Sequence, residues 1–173
     1  MASYMTTCPP KIKFWVTDTY LLEQAADDAA KFSVNFIIYI YRSDREKDSV
    51  LPSGVKVLTS PLTFRHEIFN NNNVVKANTI VIVSKGTLAA RHRPGAAANH
   101  ARDHLGLNRV TTKSAMSMSS RPPTDWERSL ESHVDVVIID EAYNIGKRNI
   151  DVWVAIRWLA ADFYILLTAT PVP

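Results

Sequence analysis

The sequence lacks the features of disulfide-rich, zinc-binding, membrane-spanning and secreted proteins. It contains one cysteine, Cys8, so no internal disulfide can form, and no Cys or His stands near it at the spacing of a zinc site. No apolar run approaches the ~20 residues needed to cross a bilayer, and residues 1–10 lack the pattern of a secretory signal. We therefore expect an intracellular protein with no membrane partner, whose residues 1–10 form a flexible N-terminus.

A strong excess of one charge is also missing. The chain has 20 Lys and Arg against 17 Asp and Glu, which gives a net charge of +3. This balance is compatible with a nucleic-acid partner but does not argue for one. The 173 residues are 46% hydrophobic, which is typical of one globular domain with a substantial core.

Short apolar, β-branched runs alternate with helical patterns along the chain. The runs predict strands at residues 12–16, 36–41, 55–58, 79–83, 134–139 and 163–167. Apolar residues at helical spacing, or a position between two predicted parallel strands, predict helices at about 18–31, 62–69, 126–132 and 148–161. The asparagines of 70–73 predict a polar loop. Such alternation is typical of an α/β fold, with a parallel sheet in a three-layer arrangement.

Residues 91–121 show no clear periodicity, and their glycine, proline and serine content predicts a long loop or insertion. The overlapping stretch 85–113 holds six Lys or Arg residues and one acid, Asp103. Such a basic stretch can follow a phosphate backbone, and a solvated basic loop is equally compatible with it. Its three histidines lack cysteine companions, so they do not indicate a zinc site.

Two adjacent carboxylates, Asp140 and Glu141, follow the apolar run 134–139. That run is typical of a strand buried on both faces of a parallel sheet, and ligands of open α/β sheets bind at the carboxyl ends of such strands. The pair could hold a metal ion or orient a water molecule. Taken alone, it is more often a solvated polar loop, because position in a fold does not establish function.

Several segments resemble a known family in the same order. Asp140-Glu141-Ala142-Tyr143 resembles the Asp-Glu-Ala-His box of motif II, and Thr168-Ala169-Thr170-Pro171 resembles motif III. Residues 14–24 resemble motif Ia, and residues 80–88 resemble motif Ib. Residues 11–173 thus resemble a partial RecA-like, P-loop NTPase lobe, the first lobe of a Swi/Snf-type helicase-like ATPase in helicase superfamily two.

The resemblance implies a chemistry and a set of roles. The family hydrolyses ATP with Mg²⁺ while moving on duplex DNA in chromatin, which implies a nuclear protein. By resemblance, Asp140 holds Mg²⁺ through water and Glu141 is the catalytic residue that orients the attacking water. Thr168 and Thr170 couple the nucleotide to the DNA face and to a second RecA-like lobe. The phosphate backbone of DNA would be contacted by Thr17, Ser84, Lys85 and Thr87.

The chain also departs from the family pattern. No Gly-x-x-x-x-Gly-Lys-Ser/Thr stretch is present, so the Walker A strand and loop that cradle the triphosphate are missing, and no second lobe follows motif III. Tyr143 replaces the box histidine, Asp18 a motif Ia proline and Lys85 an aromatic residue. We therefore expect a fragment of a chromatin-remodelling motor that is inactive alone, with unpaired strand edges where a central strand is missing. A non-catalytic nucleic-acid or protein interaction module that reuses the lobe is the alternative.

Overall fold

A computed structural model describes residues 9–33, 35–43, 51–106, 121–144 and 150–169. Six strands in these residues form one sheet in the order β3-β2-β4-β1-β5-β6, and every neighbouring pair is parallel. The strands are β1 (Ile12–Thr17), β2 (Ile37–Tyr41), β3 (Lys56–Leu58), β4 (Thr79–Ser84), β5 (Val134–Ile139) and β6 (Phe163–Leu166). The predicted parallel sheet is therefore confirmed.

Helices connect most of these strands. They are α1 (Leu22–Phe32), α2 (Glu67–Asn70), α3 (Asn73–Ala77), α4 (Lys85–His92), α5 (Pro94–Leu105) and α6 (Ile150–Arg157), with 3-10 turns at Thr19–Leu21 and Ala142–Asn144. None of the helices in the described ranges has the length and apolar character needed to span a membrane.

The inner strands of the sheet are covered on both faces, and their apolar side chains alternate between two cores. On one face, α1 places Leu22, Ala25, Ala26 and Ala29 against the isoleucines of β2 and β4. On the other face, α4 and α6 cover alternate residues of β1, β4 and β5, among them Phe14, Val83 and Ile139. The predicted three-layer α/β architecture is confirmed.

The prediction of a loop over 91–121 is wrong for its first half, because α4 continues to His92 and α5 follows at once. Pro94 occupies the first turn of α5, where its missing N–H costs nothing, and Gly106 ends the helix with φ of +66°. The buried side of α5 is made of alanines, Ala97, Ala98 and Ala101. Because alanine is small and only weakly apolar, this side gives little hydrophobic periodicity, and the sequence pattern does not predict the helix. Residues 107–120 lie outside the described ranges.

Two shorter predictions are also corrected. Residues 126–132 form turns and not the predicted helix. The ring of the buried Trp126 packs edge-on against the ring of Trp158, and the two ring centroids are 6.1 Å apart. The predicted asparagine loop contains a helix start, since the Asn72 side chain accepts a hydrogen bond of 2.9 Å from the Val75 N–H and caps α3.

The two edges of the sheet are β3 and β6, and the described strands run between them without a gap. The expectation from the sequence is unpaired strand edges where a strand of the complete lobe is missing. Among the described strands, β6 fits this expectation, because it is an edge strand whose four residues, and Leu167 after them, are apolar and exposed. The flexible terminus predicted for residues 1–10 falls almost entirely outside the described ranges.

Candidate functional site

The carboxyl ends of three adjacent strands bring the predicted site residues together. In the sheet, β1 lies between β4 and β5, and Thr17 at the end of β1 is in register with Ser84 at the end of β4. On the other side, the Asp140 N–H donates a hydrogen bond of 2.9 Å to the Val16 carbonyl, so Asp140 continues the β1–β5 pairing. The parallel sheet therefore gathers polar residues from distant parts of the sequence at one edge.

The Asp140 carboxylate is held by two hydrogen bonds. The Thr17 hydroxyl, which is fully buried, donates to Oδ2 at 3.2 Å. The Glu141 N–H donates to Oδ1 at 3.0 Å. These donors fix the orientation of the carboxylate and leave further lone pairs on each oxygen for another ligand.

Glu141 adopts a backbone conformation that is uncommon for a residue with a side chain, with φ of +48°. This sharp turn directs the chain away from the sheet immediately after β5. Within the described ranges, no hydrogen bond or salt bridge reaches the Glu141 carboxylate, which is partly exposed. The side chain is thus available to a ligand or water at the end of the strand.

Lys85 is buried beside the acid pair. Its ammonium group lies 3.3 Å from an Asp18 carboxylate oxygen and donates a hydrogen bond of 3.2 Å to the Glu141 carbonyl. The side chain is only 10% exposed. Lys85 therefore connects the starts of the segments that follow β1, β4 and β5.

Ser84 and Thr87 begin helix α4. The Ser84 Oγ accepts a hydrogen bond of 3.0 Å from the Thr87 N–H and donates to the Thr87 Oγ1 at 3.0 Å. Both side chains are buried. Together with Thr17, their hydroxyls are occupied by contacts inside the protein, so their predicted role at DNA phosphates stays a prediction.

Two tyrosines stand at the rim of the site, and sequence reasoning assigned a role to neither. Tyr20 and Tyr143 are both exposed. The pKa of the Tyr20 hydroxyl is raised by desolvation and by the negative charges of Asp18 and Glu141. The carboxylates of Asp18 and Glu141 therefore lie close to the Tyr20 hydroxyl at this edge of the sheet.

The donors present fit Mg²⁺ by their chemistry, because carboxylate oxygens are its usual protein ligands. The described residues contain no group of three or more His, Cys, Asp or Glu side chains set to hold a metal. Mg²⁺ commonly binds through one or two carboxylates with water and phosphate oxygens completing its shell. Asp140 would hold it in this way, and the Glu141 carboxylate beside it would be left to orient a water molecule.

The structure describes only the first two residues of the segment 168–171, which resembles motif III. Thr168 follows β6 and is exposed, and the carbonyl of the preceding Leu167 accepts a hydrogen bond of 3.0 Å from the Ala142 N–H. This bond ties the segment after β6 to the segment after the acid pair. Thr170 lies outside the described ranges, as do residues 145–149, so its coupling role stays a prediction.

The basic stretch is paired internally wherever it is described. Arg91 donates to the carbonyls of Thr59 and Ser60, at 2.5 and 3.4 Å. Arg93 forms a salt bridge of 3.0 Å with Asp151, and Arg102 pairs with Asp103 at 2.6 Å. The carboxylates of Asp151 and Asp103 partly offset the charges of Arg93 and Arg102, whereas the carbonyl contacts orient the Arg91 side chain and leave its charge in place.

Comparison with known protein-family models and with curated proteins finds no match.

Proposed function

We propose that this chain is part of a Swi/Snf-type, DNA-dependent ATPase lobe and carries the acid half of a nucleotide site. The observation that supports the proposal is the acid pair itself: Asp140 is oriented by Thr17, and no described residue bonds to the Glu141 carboxylate. Phosphoryl transfer needs one carboxylate at Mg²⁺ and a neighbour that positions water, and the two residues suit these roles.

The phosphate-binding half is missing from the sequence. A triphosphate is normally cradled by main-chain amides and a lysine of a glycine-rich loop, and the chain has no such loop. Lys85 does not replace that lysine, because its charge is already paired with Asp18. We therefore propose that these 173 residues do not hydrolyse ATP by themselves.

The proposal places the protein in the nucleus, on duplex DNA or chromatin, with ATP and Mg²⁺ as the ligands of the complete motor. The side chains of Thr17, Ser84 and Thr87 are buried, so their hydroxyls do not face a DNA partner. Contacts to phosphate in this region would use main-chain amides and the rim of the site.

Steady-state ATP turnover with and without duplex DNA tests the proposal. We expect the chain to show the same background rate as a Glu141→Gln variant, because a carboxylate pair without a phosphate cradle cannot position the γ-phosphate. DNA-stimulated turnover that Glu141→Gln abolishes would show that this chain has a phosphate-binding segment of another kind.

The alternative, a non-catalytic interaction module, predicts binding without turnover. Salt-dependent DNA binding that weakens on charge reversal at Arg91 and Arg93 would favour it. The salt bridge of Arg93 with Asp151 argues against this outcome, because it offsets one of the two charges.

A further inference from the structure

The outer edge of β6 is apolar on both sides of the sheet. Phe163 and Ile165 point to the α1 side, because they are in register with Val136 and Ile138 of β5. Tyr164 and Leu166 point to the other side, where the Tyr164 hydroxyl contacts the Ile156 carbonyl at 3.4 Å. Phe163 is 68% exposed, Ile165 46% and Leu166 61%. Strands of parallel sheets normally bury both faces, so β6 has the composition of an inner strand in an edge position.

The main chain of β6 has hydrogen-bonding groups directed outward. The Leu167 N–H donates to the Ile139 carbonyl at 2.8 Å, so residues 163, 165 and 167 direct their main-chain groups toward β5. Groups alternate along a strand, and the N–H and C=O of Tyr164 and Leu166 therefore point away from the sheet.

Edge strands are usually protected by lysines, prolines, bulges or inward-pointing charges. β6 has none of these, since its sequence is Phe-Tyr-Ile-Leu with Leu167 following. The opposite edge, β3, is a three-residue strand that begins with Lys56. The charge nearest to the start of β6, Asp162, is paired with Lys11 at 3.1 Å. A second β6 could therefore approach without repulsion between like charges.

We propose that β6 is a dimerisation strand, which pairs with β6 of a second copy of this chain in the antiparallel direction. A two-fold axis at Ile165 places Ile165 opposite the same residue of the second copy. Tyr164 then lies opposite Leu166, and Phe163 opposite Leu167. In this register the outward N–H and C=O groups of Tyr164 and Leu166 hydrogen-bond to each other across the axis.

This register is the one that matches all five apolar residues from Phe163 to Leu167 with apolar partners on the same face. Side chains that lie opposite each other on one face of an antiparallel pair contact each other and stabilise the pairing. The two copies bury the same patch, as a closed two-fold interface requires. The dimer does not depend on the proposed ATPase function, because the argument for the dimer rests on the composition, charge and hydrogen bonding of β6 and its neighbours.

Disulfide trapping tests the register. In a Cys8→Ser background, Ile165→Cys should form a disulfide-linked dimer under mild oxidation, because opposite residues of a non-hydrogen-bonded pair lie about 4.5 Å apart between Cα atoms. Leu166→Cys should not crosslink, since the two copies of residue 166 are offset along the strands beyond disulfide reach. Val57→Cys, on the exposed opposite edge, is the second negative control. Crosslinking at 166 or 57 that equals crosslinking at 165 would overturn the proposal.

Sedimentation velocity tests the association itself. The wild-type chain should sediment as a dimer, and Ile165→Lys should sediment as a folded monomer because it places a charge at the axis. Val57→Lys should remain dimeric. Circular dichroism verifies that the lysine variants are folded, and Leu166→Lys repeats the test at a second position. A wild-type monomer at every concentration, or a dimer that survives both β6 lysine variants, would overturn the proposal.

Discussion

The Lys85 ammonium group lies between the Asp18 carboxylate, at 3.3 Å, and the Glu141 carbonyl, at 3.2 Å. One buried cation thus connects the ends of three neighbouring strands at the candidate site. The Glu141 carbonyl belongs to a residue with φ of +48°, so Lys85 also stabilises an unusual turn. We interpret Lys85 as a residue that positions the acid pair.

Replacing Lys85 should therefore destabilise the fold. Lys85→Met keeps the length of the side chain and removes the charge, which leaves Asp18 and the Glu141 carbonyl without their donor. We expect a loss of about 2 kcal/mol in the free energy of unfolding, measured by urea denaturation. Lys31→Met is the matched control, because its salt bridge with Asp27 is exposed and its loss should change the free energy of unfolding much less. Equal losses in the two variants would contradict this role of Lys85.

His92 should make the stability depend on pH. Burial lowers the pKa of its ring to about 4, and the ring contacts the Tyr41 hydroxyl at 3.0 Å and the Arg128 carbonyl at 2.9 Å. Because this pKa lies below the ordinary value of 6.5, the folded state resists protonation. The neutral His92 ring contributes up to about 3 kcal/mol to the free energy of unfolding. This contribution is fully present above pH 6.5 and is lost as the pH falls toward and through 4.

Urea unfolding at several pH values measures this effect. The wild type should lose more stability than His92→Gln between pH 6.5 and 4. His133, whose pKa is also lowered by burial, titrates in the same direction. His133→Gln serves as the comparison and should flatten the pH dependence less, because His133 is only half buried. Parallel curves for wild type and His92→Gln would refute the assignment.

At position 160, glycine should make the folded protein more stable than the natural alanine does. It follows α6 with φ of +47°, a conformation that strains any residue with a Cβ atom. Ala160→Gly should raise the free energy of unfolding by up to ~1 kcal/mol. Ala90→Gly, at an exposed position inside α4, should lower it by about 1 kcal/mol. A destabilised Ala160→Gly variant would show that the turn is not strained.

Thr17 should control the cation affinity of Asp140 without touching the cation. Thr17→Val removes the hydroxyl that donates to the carboxylate and keeps the buried shape of the side chain. Loss of such an orienting partner typically weakens metal binding by 10-fold or more. Mn²⁺ affinity measured by calorimetry should therefore fall in Thr17→Val. Thr79→Val, at a buried threonine on the opposite end of the sheet, should leave the Mn²⁺ affinity unchanged.

The strands were predictable from the sequence because each is a short run of branched apolar residues, as in β4 and β5. The position of the acid pair followed from the same pattern, since parallel strands end at one edge of the sheet. Helix α5 was not predictable in this way, because alanines form its buried side. Nor did the sequence distinguish β6 from an inner strand: its residues are equally apolar, and only the strand order places it at an edge.

The partners of the site residues were also beyond the sequence. Lys85 and Thr87 read as polar residues after a strand, which suits a surface contact with phosphate. In the structure Lys85 forms a salt bridge with Asp18, and Thr87 forms a hydrogen bond with Ser84. The side chains of Lys85 and Thr87 are both buried. Charge and spacing along the chain do not show which polar groups will satisfy each other inside a fold.

In the proposed function, Asp140 and Glu141 form the acid half of a nucleotide site. Mn²⁺ shares the oxygen ligands of Mg²⁺ and broadens nearby NMR signals, so a Mn²⁺ titration tests the claim most directly. We predict selective broadening of the amide signals of Thr17, Asp140 and Glu141, and loss of that broadening in Asp140→Asn. Uniform broadening, or broadening that persists in Asp140→Asn, would contradict the account.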